Sequence, residues 1–358
     1  MSNRIQSIDI ARGIGILLVV LGHNDFALVS PFVYQVIYSF HMPLFFFLSG
    51  FFINPSVGFW EFVRRRFNSL LKPYLFTIFM IYFLSVSFEK MSFQTALFRI
   101  TKSLYGSGYY LDWVQLWFLP HLFVVSVYAY IFLNIFNRLN NRWLRWGILL
   151  ATLALSIPFL KTFYPFPFQV FGRDYELYGL PFSLDLVLLS GFFFILGSEI
   201  RQIRAEEMFS SPILLAGTGL ALLLLNFFFA AKIDFNTRLY ESFLINTAEA
   251  IFGILFILAL SRQIELRSER VASIFRYFGQ VSLMILIFHV PIQDFWAQKV
   301  LAVTGNTQLS IWTGFFMGVA GSILIYELFI KANPVASFWF GREAPPPEKK
   351  EATLPSTS

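Results

Sequence analysis

The chain has 358 residues, 57% of them hydrophobic, 20% aromatic and 13% charged, with a mean hydropathy of +0.65. A soluble domain carries about a quarter charged residues, so this composition excludes a water-excluded core and points to lipid as the solvent. The absence of cysteine excludes disulfides, zinc thiolates, iron–sulfur clusters and cysteine nucleophiles, and the net charge of +6 lies in short basic clusters between apolar runs, as membrane orientation requires and nucleic-acid binding does not.

A hydrocarbon layer of about 30 Å takes roughly 20 helical residues to cross. That ruler predicts an all-α polytopic bundle of about ten transmembrane helices, near 8–29, 33–53, 71–88, 116–136, 144–160, 181–199, 212–231, 243–260, 276–297 and 310–331. Helices are favoured over a barrel because the runs are continuously apolar, whereas barrel strands alternate. The first run lacks a small-residue cleavage site and reads as a span, not a cleavable leader. Residues 1–340 are expected to form a single membrane domain. The tail 341–358, with Pro345, Pro346 and Pro347 followed by charges, is expected to be a disordered cytoplasmic segment. No repeat of fixed period is evident.

With the N-terminus placed inside, eighteen lysines and arginines fall on the cytoplasmic side and eight on the other. Both termini are therefore expected in the cytoplasm.

Polar residues in the spans are costly and direct the search for function. The first span holds Asp9, Arg12, His23, Asn24 and Asp25. Eleven residues separate Arg12 from His23, close to three turns, so both share one face about 16 Å apart. Arg12 near the inner end also fits a snorkelling residue paired with Asp9. His41, His121 and His289 fall in the second, fourth and ninth spans, each within about eight residues of the expected outer end, as does His23. Four histidines at one depth point to a shared polar cavity, although a single membrane histidine more often bonds between helices. Three have a proline beside or near them, in His41-Met42-Pro43, Pro120-His121 and His289-Val290-Pro291. Proline frees a backbone carbonyl one turn back, which suits a cavity wall.

Between the second and third spans, residues 59–73 read as a short interfacial amphipathic helix carrying Arg64, Arg65, Arg66 and Lys72. It serves either as an anchor on anionic lipid or as a dock for a phosphorylated cytosolic molecule.

Here the chain resembles a known family. The stretch from Arg4 to His23, with an arginine, ten residues and a histidine, resembles the opening of the acyltransferase 3 family of membrane O-acyltransferases. The segment from Phe40 through Ser49 to Phe51 is similar to that family's second-helix motif, notably in fucose O-acetylase-like members. Arg66 through Tyr74 resembles its basic segment before a Pro-Tyr pair, and Trp117-Phe118-Leu119-Pro120 and Phe288-His289-Val290-Pro291 are similar to a fourth and a late helix. The chain departs from the pattern at Ser69, where relatives often carry a second arginine, and the C-terminal hydrolase-like domain found in many members is not expected here.

The resemblance implies transfer of an acyl group, usually acetyl from acetyl-CoA, to a hydroxyl of a cell-surface or lipid-linked glycan. It implies an integral membrane location, expected to be a bacterial inner membrane, and no metal. His23 is the candidate general base, with Asp25 a poorly directed helper. Arg12, Arg64, Arg65, Arg66 and Lys72 are candidates for the acyl donor. His41, Ser49, Trp117, His121 and His289 are candidates for holding the acceptor or supporting the site. Direct transfer and an acyl-histidine intermediate both fit these residues. The alternative is a polytopic carrier or glycan flippase without covalent chemistry.

Overall fold

In the computed structural model, which describes residues 6–139, 141–202 and 208–341, the apolar runs form helices. In chain order these are α1 (Gln6–Gly22), α2 (Pro31–Gly50), α3 (Phe59–Arg66), α4 (Lys72–Phe88), α5 (Phe93–Ser103), α6 (Phe118–Phe136) and α7 (Arg142–Thr162). An antiparallel hairpin of β1 (Phe166–Val170) and β2 (Arg173–Leu177) precedes α8 (Val187–Gln202) and α9 (Pro212–Phe229). A second, two-residue pairing of β3 (Ile233–Asp234) with β4 (Leu239–Tyr240) leads to α10 (Phe243–Arg267), α11 (Glu269–Gln280), α12 (Ser282–Thr304), α13 (Thr307–Ile325) and α14 (Pro334–Trp339). Arg4, Arg204 and the proline-rich tail from 342 lie outside the described residues.

The all-α membrane bundle is what the chain adopts. A helix stands at each of the ten expected positions, and among the described residues 8 are long and apolar enough to cross a bilayer. The two that differ have physical reasons. α1 has 17 described residues, and at its far end the chain leaves the α-helix at Gly22 and continues as a 3₁₀ turn at Asp25–Leu28. The ninth expected span, 276–297, is not one straight helix. The chain bends by 76° between α11 and α12. α11 is amphipathic and keeps its polar face at a surface, with Arg276 paired to Glu269, so only α12 presents the apolar run.

The expected amphipathic segment 59–73 forms a helix at its start, α3, and leads into the next span. α3 runs through a π-turn at Phe67–Leu71 into α4, giving one 30-residue rod from Phe59 to Phe88. α5, for which the sequence reading had no element, is pinned by Arg99 to Asp112 at 3.0 Å, and Tyr82 donates to the same carboxylate at 3.0 Å.

α1 sits at the centre of the bundle, packed against α2, α10, α11 and α12. Small residues permit this. A Cβ on Gly13 would lie 2.0 Å from the Phe275 carbonyl oxygen, and one on Gly279 2.1 Å from that of Asp9, so α1 and α11 meet backbone to backbone. Lipid offers no hydrophobic drive between helices, so such close contact supplies the association through van der Waals packing. α6 and α8 are largely enclosed, while α7 and α9 turn most of their apolar surface outward.

The charge asymmetry makes a test of orientation. Reporter fusions after Arg138 and Arg270 are expected to read cytoplasmic, and fusions after Lys102 and Arg173 external. A consistent inversion would reverse the sidedness of everything below.

Candidate active site

α1 and the residue that follows it bring Arg12 and His23 to one cavity, eleven residues apart. Arg12 and His23 both line a chamber of about 240 Å³, as the shared helical face requires. The His23 amide still bonds the Val19 carbonyl at 3.0 Å, so the residue completes the last turn. Beyond it, the Asn24 side chain accepts the Phe26 amide at 3.0 Å and stops the helix. The other walls come from Met42, Phe45 and Ser49 of α2, from Leu119 and Leu122 of α6 with Trp117 just before it, from Ser282, Leu283 and Leu286 of α12, and from Arg66, Ser69 and Leu70 at the π-turn.

The arginine end is cationic. Arg12 Nη1 stands 4.0 Å from Asp9, and its guanidinium lies 5.4 Å from the Phe52 ring centre. Arg66 packs its guanidinium 5.4 Å from the Phe62 ring centre and forms no ion pair with a carboxylate among the described residues. Two guanidiniums opening on an apolar chamber favour an anionic guest, since charge-assisted bonds to phosphate or carboxylate offset their mutual repulsion.

The rest of the basic segment faces elsewhere. Arg64 and Arg65 are exposed, Arg65 pairs with Glu61, and Lys72 sits over the Phe338 ring at 3.8 Å. Ser69, at the place of the family's second arginine, contributes a hydroxyl to the chamber instead.

The histidine end is crowded with polar groups. The His23 and His289 rings meet edge to face, centroids 5.3 Å apart. His41 and Asp234 stand within electrostatic reach of His23, and Tyr38, stacked on Tyr34 at 4.3 Å, donates to the Gly22 carbonyl at 3.1 Å. The His23 imidazole has no hydrogen-bond partner among the described residues.

The other histidines are tied down. A carbonyl can only accept, so His41 donates Nδ1–H to Ile37 at 3.0 Å and His289 donates Nδ1–H to Ile285 at 2.7 Å. His121 is occupied at both nitrogens, with the Phe182 carbonyl at 3.1 Å and the Ser190 hydroxyl at 2.8 Å. None of these three lines the chamber, but His121 stacks under Trp117, which does, with centroids 5.5 Å apart. Three histidines therefore gather around the end of α1 and one supports the wall. His289 is the eighth residue of the 23-residue α12, and its ring meets that of His23.

Pro291 shows how the site is braced. Lacking an N–H, it leaves the Ile287 carbonyl without its helical donor, and Gln115 Nε2 fills that place at 3.0 Å, tying α12 to the turn before α6. Gln293, one turn past His289, donates to the His23 carbonyl at 2.7 Å. Gln115, Gln293 and Asp234 were not singled out by sequence reasoning. The spacing of Gln293 from His289, four residues on one helix face, was the available signal.

The acyltransferase 3 family model, described as an acyltransferase domain, matches residues 5–327. Two curated relatives are similar over half the chain. They are the nodulation protein NolL of Mesorhizobium japonicum, 32% identical over 184 residues covering 46% of each chain, and that of Sinorhizobium fredii, 32% identical over 186 residues covering 46% of this chain and 47% of the relative. The matched region thus spans about half the length of these relatives. No solved structure matches.

Proposed function

Since the chain belongs to the acyltransferase 3 family and is an integral membrane acyltransferase, we propose that it moves an acetyl group from cytosolic acetyl-CoA to a hydroxyl of a cell-surface or lipid-linked glycan, in a bacterial inner membrane. The observation that carries this reading is one chamber with two arginines at one end and a histidine at the other.

The phosphates of the donor pair with Arg12 and Arg66. Its pantetheine arm follows the apolar wall of Ile16, Val19, Leu122 and Leu286, and eleven residues of helix, about 16 Å, match the reach of that arm. The thioester then stands at His23. The imidazole takes the proton of the acceptor hydroxyl as its oxygen attacks the thioester carbonyl. The carbon–sulfur bond breaks, and the departing thiolate takes the proton back from the imidazolium. Trp117 offers an aromatic face to a sugar ring, and Ser49 a hydroxyl within the same chamber.

Purified protein is expected to move radiolabel from acetyl-CoA into a glycan acceptor, an outcome a carrier does not give. Arg66→Ala is expected to raise the KM for acetyl-CoA about 10-fold or more, the worth of one charge-assisted contact, while Arg65→Ala, which points off the chamber, stays within about twofold. A donor lacking the 3′-phosphate is expected to lose less on Arg66→Ala. Equal effects of the two arginine variants would return the whole segment to a membrane anchor.

A further inference from the structure

Among the described residues, His289 is fully buried, yet its Nε2 has no hydrogen-bond partner. Its Nδ1 is committed to the backbone, to the Ile285 carbonyl at 2.7 Å and the Leu286 carbonyl at 3.0 Å. In the neutral ring this fixes the hydrogen on Nδ1, so Nε2 is left with a lone pair and can only accept. A membrane histidine that merely joined two helices would spend this acceptor on a neighbour. Here the nearest ring is His23, centroids 5.3 Å apart, and that ring in turn has no partner of its own.

The backbone around the pair is held from the same helix. Gln293 grips the His23 carbonyl at 2.7 Å, and Gln115 closes the gap opened by Pro291 at 3.0 Å. α12 thus clamps His23 by its main chain and carries, in the ring that meets the His23 imidazole edge to face, an uncommitted acceptor.

We propose that His289 is a positioning residue for His23: its Nε2 receives the His23 N–H once a donor fills the chamber, holding His23 in the tautomer whose other nitrogen faces the reacting hydroxyl. This rests on the reading of His23 as the base. The two rings meet without a hydrogen bond between them, and a turn of the unpartnered His23 imidazole closes the contact, as catalytic bonds commonly tighten on substrate binding. When His23 takes the proton of the hydroxyl, the bond to His289 persists and strengthens, because its donor is now charged. No proton passes to His289, and the imidazolium later returns its proton to the thiolate. The arrangement works as a neutral histidine in the place where a carboxylate often orients a catalytic imidazole.

The experiment compares His289→Leu, His289→Gln, His23→Ala and the double variant His23→Ala/His289→Leu as purified protein in detergent. Glutamine can donate to the Ile285 carbonyl and accept with its oxygen, whereas leucine fills the space without an acceptor. His289→Leu is expected to lower kcat about 10–100-fold with the KM for acetyl-CoA within about twofold, and His289→Gln to recover a large part of that loss. The double variant is expected to be no slower than His23→Ala. Full kcat in His289→Leu, or equal loss in the leucine and glutamine variants, overturns the positioning role. Retained activity in His23→Ala overturns the base and the pairing together. An inactive His23→Ala beside a fully active His289→Leu removes the pairing alone.

Discussion

His23→Ala is expected to abolish acyl transfer while membrane insertion and abundance stay near normal. Removing a general base costs about 10²–10⁴-fold in rate. Stability cannot supply that loss, because the imidazole gives up no hydrogen bond on truncation, and even an interhelical bond in a membrane is worth only about 0.6 kcal/mol. His23→Gln keeps hydrogen-bonding capacity but cannot cycle a proton near neutral pH, so it is expected to be nearly as inactive. The measurement is the rate of label transfer from acetyl-CoA, with folded protein quantified in the same membranes. Most of the activity surviving in His23→Gln would make His23 a structural polar residue. The base would then be sought among the remaining histidines, and the hydrogen bonds rank them. His121 is engaged at both nitrogens, whereas His41 and His289 each have one committed to a carbonyl.

How much of this was legible in the sequence follows from what helical periodicity encodes. Period 3.6 fixes which residues of one helix share a face, and so Arg12 and His23 were placed correctly relative to each other. It carries no information on how a helix is rotated against its neighbours. The basic segment therefore read as four equivalent donor contacts, where the π-turn at Phe67–Leu71 leaves Arg66 on the chamber and Arg64 and Arg65 outside it. Hydropathy windows likewise average over bends. The window 276–297 merged an amphipathic helix with an apolar one, because the break falls within a few residues at Val281. α5 escaped for a third reason: it is short, and it is held by contacts distant in sequence, such as Tyr74 donating to the Ser103 carbonyl.

Arg238 is the sharpest such case, counted from sequence as an ordinary loop charge on the outer side. It is buried against Asp185, with Nε donating at 2.7 Å and Nη2 at 3.2 Å, and the two side chains are 2% and 0% exposed. Nη1 donates to the Asn236 carbonyl at 2.6 Å, and the guanidinium lies 4.8 Å from the Tyr164 ring centre. Asp185 also accepts the Leu180 amide at 2.8 Å, so the pair closes the turn in which Phe182 and Ser183 hold φ near 55°. Left-handed backbone at a phenylalanine costs energy and persists only where its surroundings fix it. Breaking one half of a buried pair strands the other charge, at about 3–5 kcal/mol. Asp185→Ala and Arg238→Ala are each therefore expected to lose most of the folded protein, read as abundance in membranes and thermal stability in detergent. Replacing both at once, Asp185→Leu with Arg238→Met, is expected to recover much of the loss, since well-packed apolar groups commonly stand in for a buried pair. Single variants as stable as the parent would show that water reaches the pair. The consequence extends to the chamber, because the Phe182 carbonyl fixed by this turn holds His121, and His121 carries the Trp117 wall. Residual folded protein of either single variant is accordingly expected to bind the acceptor more weakly, while its KM for acetyl-CoA, set at the arginine end, changes little.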